Sequence, residues 1–237
     1  MNLLKSLSFA ACLFVSGSVM AQTADQIIAS HKKAMGGEKI YDNIKTLYTE
    51  GTIGTMGMDL PMKVYTKNKE SLRIEFEVMG AKNIQAIHKT TGWMLMPIMG
   101  MSEPQDLPAD KLDELLKQTD LSTDLFNYAE KGWKVTLLGK ESNGGQDEFK
   151  LHLEKASGAK MDLYVDAHTY YINKIDIDAN VEGQDVATTL KMSDYHKTPE
   201  GLVVPYTLEQ GEMATIKLTK VEVNKPLDDA LFKKPAK

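Results

Sequence analysis

The feature that most constrains this chain is an alternation of apolar and polar residues with a period of two, held over most of its length and cut at intervals by turn residues. Leu60, Met62 and Val64 alternate with polar residues, and Leu72, Ile74, Phe76 and Val78 alternate with Arg73, Glu75, Glu77 and Met79. After residue 132 the pattern returns in Trp133/Val135/Leu137, Phe149/Leu151/Leu153, Met161/Leu163/Val165, Val186/Leu190/Met192 and Leu202/Val204/Tyr206/Leu208. Successive strand side chains point to opposite faces, so such runs fold as strands with one buried face. Asn143-Gly144-Gly145, Ser157-Gly158 and Pro199-Glu200-Gly201 separate consecutive runs at hairpin spacing and predict an antiparallel meander. Between Ile172 and Ile175, and between Leu218 and Val221, the phase slips by one, which predicts β-bulges that curve the sheet.

Two segments break the period. Thr23-Ala24-Asp25-Gln26 is a capping-box pattern, and Ile27, Ile28, His31, Ala34 and Met35 then fall on one helical face before Gly36-Gly37 stops the helix. Between the strand blocks, over about residues 98–129, Pro104 and Pro108 end the strand pattern. Pro108-Ala109-Asp110 opens a helix carrying Leu112, Leu115 and Leu116, and Leu121, Leu125 and Phe126 follow in a short turn or helix. No linker-like stretch divides residues 22–237. The expected architecture is one mainly β (α+β) domain: a single curved antiparallel sheet of about 11 strands, with an N-terminal helix and a mid-chain helical lid.

Residues 1–21 read as a secretory signal, with Lys5 as the charged start, an apolar run over residues 7–16, and Val19-Met20-Ala21 as the cleavage pattern. The run between Lys5 and Cys12 is too short for Cys12 to be an acylated N-terminus. Cleavage after Ala21 leaves 216 residues with no cysteine and moves the charge from −5 to −6. That predicts an exported protein without disulfides, stabilised by its core. Acidic residues outnumber basic ones 33 to 28 and the lysines are scattered, so there is no basic stripe for nucleic acid.

The search for catalytic chemistry is negative. There is no nucleophile elbow, P-loop, dinucleotide fingerprint or mature cysteine, and His31, His88, His152, His168 and His196 lack metal-ligand spacing. Neither a metal nor a cofactor is expected. His152 on a polar strand face and His168 in a turn read as solvated. The pairs Asp176/Asp178 and Glu75/Glu77 read as solvated strand faces rather than carboxylate dyads. Arg73 is the one arginine, and its planar fork suits a fixed carboxylate partner, either at a functional position or in a cross-strand ion pair. The positive signal is methionine: 14 in the chain, of which Met56, Met58, Met62, Met79, Met94, Met96, Met99 and Met101 crowd a short stretch. Such a surface adapts to apolar partners of variable shape, although the same residues also fill gaps in a two-sided core.

At residues 66–101 a larger pattern becomes visible. Thr66-Lys67-Asn68-Lys69-Glu70-Ser71-Leu72-Arg73-Ile74-Glu75, Gln85-Ala86-Ile87 and Thr91-Gly92-Trp93-Met94-Leu95-Met96-Pro97 resemble the outer-membrane lipoprotein-sorting proteins, the LolA/LolB-like family. So do Leu163-Tyr164-Val165-Asp166-Ala167-His168-Thr169-Tyr170, Ser193-Asp194-Tyr195-His196-Lys197 through Gly201-Leu202-Val203-Val204-Pro205-Tyr206, and Asp228-Asp229-Ala230-Leu231-Phe232. The resemblance implies a half-open β-barrel closed over by helices, whose apolar cavity receives lipoprotein acyl chains in the periplasm. Two positions depart from it. Asn68-Lys69 stand where many members have Arg-Pro, which removes an Arg linked in the carrier to holding the lid shut, and His88-Lys89 stand where Asp-Gly is common. Arg73, among Glu75 and Glu77, is expected to face away from the apolar side and does not inherit the lid role.

The expectation is a monomeric, non-catalytic periplasmic protein that binds lipid or lipoprotein acyl chains, with a membrane-bound donor or acceptor protein as a possible partner. Expected lining residues are Met62, Val64, Ile74, Phe76, Val78, Trp93, Met94, Met96, Met99, Leu112, Leu115, Leu116 and Phe126, with the face of the Trp93 strand left open. The alternatives are a sensor or interaction module that works through a protein partner and shows an exposed apolar patch, and an uncharacterised hydrolase.

Overall fold

The computed structural model describes residues 22–55, 57–122, 125–181 and 184–235; the expected signal segment and Met56 lie outside them. Helix α1 (Ala24–Ala34) starts on the expected capping box, in which the Thr23 hydroxyl accepts from the Gln26 amide and the Gln26 side chain accepts from the Thr23 amide. It ends at Met35, and the chain turns through Gly36 at φ +114° and Gly37 at φ +86°. Gly36 is also forced by packing, since a Cβ there would lie 2.5 Å from the Gly201 carbonyl oxygen. A six-residue helix α2 (Glu38–Asn43) follows, which the sequence pattern does not reveal.

The strands are β1 (Thr46–Thr55), β2 (Met58–Lys67), β3 (Ser71–Val78), β4 (Ala81–His88), β5 (Thr91–Leu95), β6 (Gln105–Asp106), β7 (Lys134–Asn143), β8 (Gln146–Glu154), β9 (Lys160–Asp166), β10 (Ile172–Val181), β11 (Gln184–Lys197), β12 (Val203–Gln210) and β13 (Ala214–Val223), with helix α3 (Ala109–Lys117) between β6 and β7. They form one open, curved antiparallel sheet of 13 strands, where about 11 were expected. The order is β6-β5-β4-β3-β2-β1-β13-β12-β11-β10-β9-β8-β7. The chain thus enters at the centre, meanders out to one edge, jumps to the other, and meanders back until β13 pairs with β1. Because β6 and β7 are opposite edges, the segment joining them has to cross a face of the sheet.

Both expected bulges are present. Glu50 pairs with Lys220 and Gly51 with Leu218, leaving Thr219 as the extra residue, and the β9–β10 register shifts between Ile172 and Lys174. At the first, a Cβ on Gly51 would lie 2.1 Å from the Lys217 carbonyl oxygen, so the bulge brings the backbones too close for a side chain. A third, between Leu137 and Gly139, turns Leu138 outward and was not expected. Among the described residues no helix is long and apolar enough to cross a membrane.

In the first half of the sheet the register assigns strand residues to faces. On the inner face Leu72, Ile87 and Leu115 form a core with Val64, Ile74, Leu107, Leu112 and Leu116, so α3 seals the first half of the sheet. Ile27 and Ile28 of α1 pack with Leu125 and Phe126 against Leu151, Leu153, Leu163 and Val165 of the second half. Residues 225–235 run over the outer face of the first half, where Phe232 is 1% exposed and stacks on His88.

Candidate functional site

Where α1, α2 and the crossing segment meet β9–β12, packing is incomplete. A half-enclosed cavity of about 280 Å³ lies there, lined by residues that include Tyr41, Leu121, Leu163, Met192, Tyr195 and Val203. No lining side chain carries a charge at neutral pH. Burial pushes the Tyr41 phenol up to about 12 and the Tyr195 phenol higher still, and the Tyr195 hydroxyl donates to the Ile172 carbonyl at 2.6 Å. His31, 1% exposed, also lines the cavity. Its Nδ1 lies 2.8 Å from the Tyr170 carbonyl, which can only accept, so Nδ1 carries the proton. Burial lowers the His31 pKa from 6.5 against the raising effect of that bond. The ring is therefore neutral at pH 7, and its buried Nε2 has no partner.

None of the expected lining residues borders this cavity. Val64, Ile74, Leu112, Leu115 and Leu116 come together in the packed core under α3, and Met62, Val78 and Met96 are buried. Phe76 and Met94 share the inner face with Ile74, as the β2–β3, β3–β4 and β4–β5 registers show. Phe126 meets the ring of Tyr41, a lining residue, edge-on with centroids 4.4 Å apart. Met99 is 67% exposed. Trp93, 3% exposed, is on the outer face in a row with Arg73 and Ala86, and its indole donates to the Phe232 carbonyl at 2.9 Å.

Arg73 faces away from the inner side, as expected, and its partner is fixed. Its Nε donates to Glu75 at 2.6 Å and its Nη1 to the Leu231 carbonyl at 2.6 Å, while the guanidinium lies over Trp93. The ion pair runs along one strand rather than across two. Glu75 is buried beneath the C-terminal segment instead of lying on a solvated face. His152 bonds Asp162 across strands at 2.7 Å, and His168 occupies the expected turn.

Folding does bring Glu70, His88 and Asp229 together, each offering one ligand atom within 4.8 Å of the others, a convergence that sequence spacing could not show. The Lys67 ammonium bonds Asp229 in the same place, and the Ser71 hydroxyl is 2.8 Å from His88 Nδ1, so this group already has a cation and a hydrogen-bond network.

Asn68-Lys69 tie the crossing segment to the sheet. The Asn68 amide donates to the Ile44 carbonyl at 3.0 Å and accepts from the Leu121 amide at 3.2 Å. The Lys69 amide donates to the Thr119 carbonyl at 3.0 Å, and Lys69 has φ +57°. A proline could supply neither that proton nor that dihedral.

No protein-family model matches the sequence, and no curated protein matches it. Among solved structures, the chain is similar to a LolA superfamily protein from Nitrosomonas europaea, with TM-score 0.55 and 15% identity, covering 90% of this chain and 99% of that one. It is similar to a DUF1329 family protein from Desulfovibrio piger, with TM-score 0.59 and 16% identity, covering 88% and 96%. It also resembles a domain named for outer membrane lipoprotein sorting, from Vibrio parahaemolyticus, with TM-score 0.56 and 13% identity, covering 88% and 95%. Likeness at these identities is likeness of course through space, and since that course is shared over about nine-tenths of the chain, its fold is LolA-like.

Proposed function

We propose that this chain is a non-catalytic periplasmic carrier in outer-membrane lipoprotein sorting, which holds an acyl chain of a lipid or lipoprotein between α1, α2, the crossing segment and β9–β12. The observation that carries this reading is an unfilled cavity of about 280 Å³ without a charged side chain, under helices that belong to the same fold as the lipoprotein-sorting domain. At roughly 30 Å³ per water-sized group, such a space takes about nine methylenes of one chain. At about 0.8 kcal/mol per methylene that is roughly 7 kcal/mol, which sets a ceiling of about 10 μM on the affinity of a single chain before association costs weaken it.

Native mass spectrometry of protein recovered from the periplasm, with displacement of a fluorescent fatty acid, tests the reading. Retained lipid and competitive displacement are expected, with binding weakened at least tenfold by Met192→Trp, which fills the cavity, and unchanged by Met99→Gln. No co-purifying lipid and no displacement would end it.

One observation favours a second reading, an interaction or sensor module acting through a protein partner. Met58, Met79, Ile98, Met99 and Met213 are exposed, Met79 to 95%, and all sit at one end of the strand ladder, Met58 opening β2 and the others in the connections beyond β3, β5 and β12. Partner capture lost in Met79→Glu and Met99→Glu, with fatty-acid binding intact, would favour that reading over the carrier.

A further inference from the structure

Among the described residues, two buried side-chain polar atoms have no hydrogen-bond partner, His31 Nε2 and Thr198 Oγ1, and of the two residues His31 lines the apolar cavity. Helical spacing sets His31 one turn before Met35, so both lie on one face at the end of α1, and both border the cavity. The Nδ1–H bond to the Tyr170 carbonyl, at 2.8 Å, draws one side of the ring towards the β9–β10 connection. Nε2 sits across the imidazole from Nδ1 and so is directed away from that connection, into the interior that His31 borders together with Leu163, Ile172 and Tyr195. None of these neighbours completes it. Leu163 and Ile172 have hydrocarbon side chains, and the Tyr195 hydroxyl has given its proton to the Ile172 carbonyl. With Nδ1 protonated and the ring neutral, Nε2 can accept a hydrogen bond and cannot donate one. A lone acceptor left unpaired among hydrocarbon costs free energy, which a ligand carrying the missing proton recovers.

On the reading of this cavity as an acyl-chain site, we infer that its occupant is a hydroxylated aliphatic chain, whose hydroxyl donates to His31 Nε2 while its methylenes lie against apolar lining side chains such as Leu121 and Met192. The inference rests on that reading and adds the polar chemistry of the ligand. The site discriminates among polar groups. An ionised carboxylate offers only acceptors to Nε2, and no charged lining side chain offsets its desolvation. An amide or a protonated acid supplies the proton but buries a carbonyl beside it. A hydroxyl supplies the same proton with the least additional polar surface.

1-Octanol and its isomer heptyl methyl ether test this, because they match in size and composition and differ in the donor proton. Each is titrated against the purified protein carrying a fluorescent fatty acid, and displacement gives the two affinities. Octanol is expected to bind about fivefold tighter or more, the worth of one buried neutral hydrogen bond, and the ratio should fall to about one in His31→Leu. Because His31→Leu also alters the core, the unmodified protein supplies a second readout by nitrogen NMR of isotope-labelled histidine. The His31 Nε2 resonance should start at the value of an unbonded neutral acceptor and move towards hydrogen-bonded values on adding octanol, but not on adding the ether. Equal affinities for octanol and the ether would overturn the hydroxyl assignment and leave the cavity reading standing. So would a preference for octanol that survives in His31→Leu, or an Nε2 already hydrogen-bonded in the free protein. Displacement by neither compound would overturn the cavity reading and this inference together.

Discussion

Asn68 and Lys69 show how few atoms hold the crossing segment down. One side-chain amide joins the Ile44 carbonyl to the Leu121 amide, and one backbone proton in a left-handed turn reaches Thr119. Asn68→Ala should cost about 1–3 kcal/mol, the worth of two net hydrogen bonds, seen as a lower melting temperature and faster hydrogen exchange at Leu121. Exchange at Leu121 no faster than in the parent would show that the amide holds nothing. Lys69→Pro removes the donor and cannot adopt φ +57°, so it should destabilise more than Asn68→Ala, whereas Lys69→Gly should be tolerated. His31 makes a separate prediction. Its folded pKa lies below 6.5, so above pH 6.5 its contribution is fully present, and as pH falls from 6.5 towards the folded value the unfolded chain takes up the proton first and stability is lost. Urea unfolding should show that loss between pH 7.5 and 5.5, at no more than about 1.4 kcal/mol per pH unit, and His31→Leu should flatten it. An unchanged slope in His31→Leu would remove His31 from the account.

At the scale of elements, most of the strands, α1 and α3 were legible because they carry a periodic apolar face, and two bulges were legible because the period slips there. The bulge at Leu138 was not, since the next position in phase is Gly139, which has no side chain to mark the slip. Helix α2 is too short to show a period, and β6 has two residues. The C-terminal segment was the largest omission. Its Asp228-Asp229-Ala230-Leu231-Phe232 run has no alternation, and its burial depends on an outer face built from Arg73, Ala86 and Trp93, far away in sequence. Phe232→Ala should therefore cost about 3–5 kcal/mol, as a large core truncation does, although the residue is near the chain's end. A loss under 1 kcal/mol in denaturant titration would mean that the segment merely rests on the sheet. At the β1–β13 seam, Gly51→Ala should lower the melting temperature as well, since the Cβ has no space beside the Lys217 carbonyl.

The whole molecule follows from one jump in strand order. Because the chain leaves the sheet at β6 and returns at β7, the described residues between 107 and 133 lie across the inner face. The opening they leave against β9–β12 is bordered by Tyr41, Leu121, Leu163, Met192 and Val203. Those residues come from five places in the chain and share no local motif, whereas methionine density singles out Met94, Met96 and Met99, of which the first is half-buried, the second buried and the third exposed in the short 3-10 helix after β5. The signal that was available was the inner-face alternation Leu163, Ile175 and Met192 opposite α1, read together with the topology. Photo-crosslinking with a diazirine-bearing fatty acid, followed by peptide mapping, tests the cavity as the acyl-chain site most directly. The label is predicted on the peptides that contain Leu121, Met192 and Val203; a label confined to the peptides of Met79 and Met99, or a uniform scatter over the surface, would contradict it.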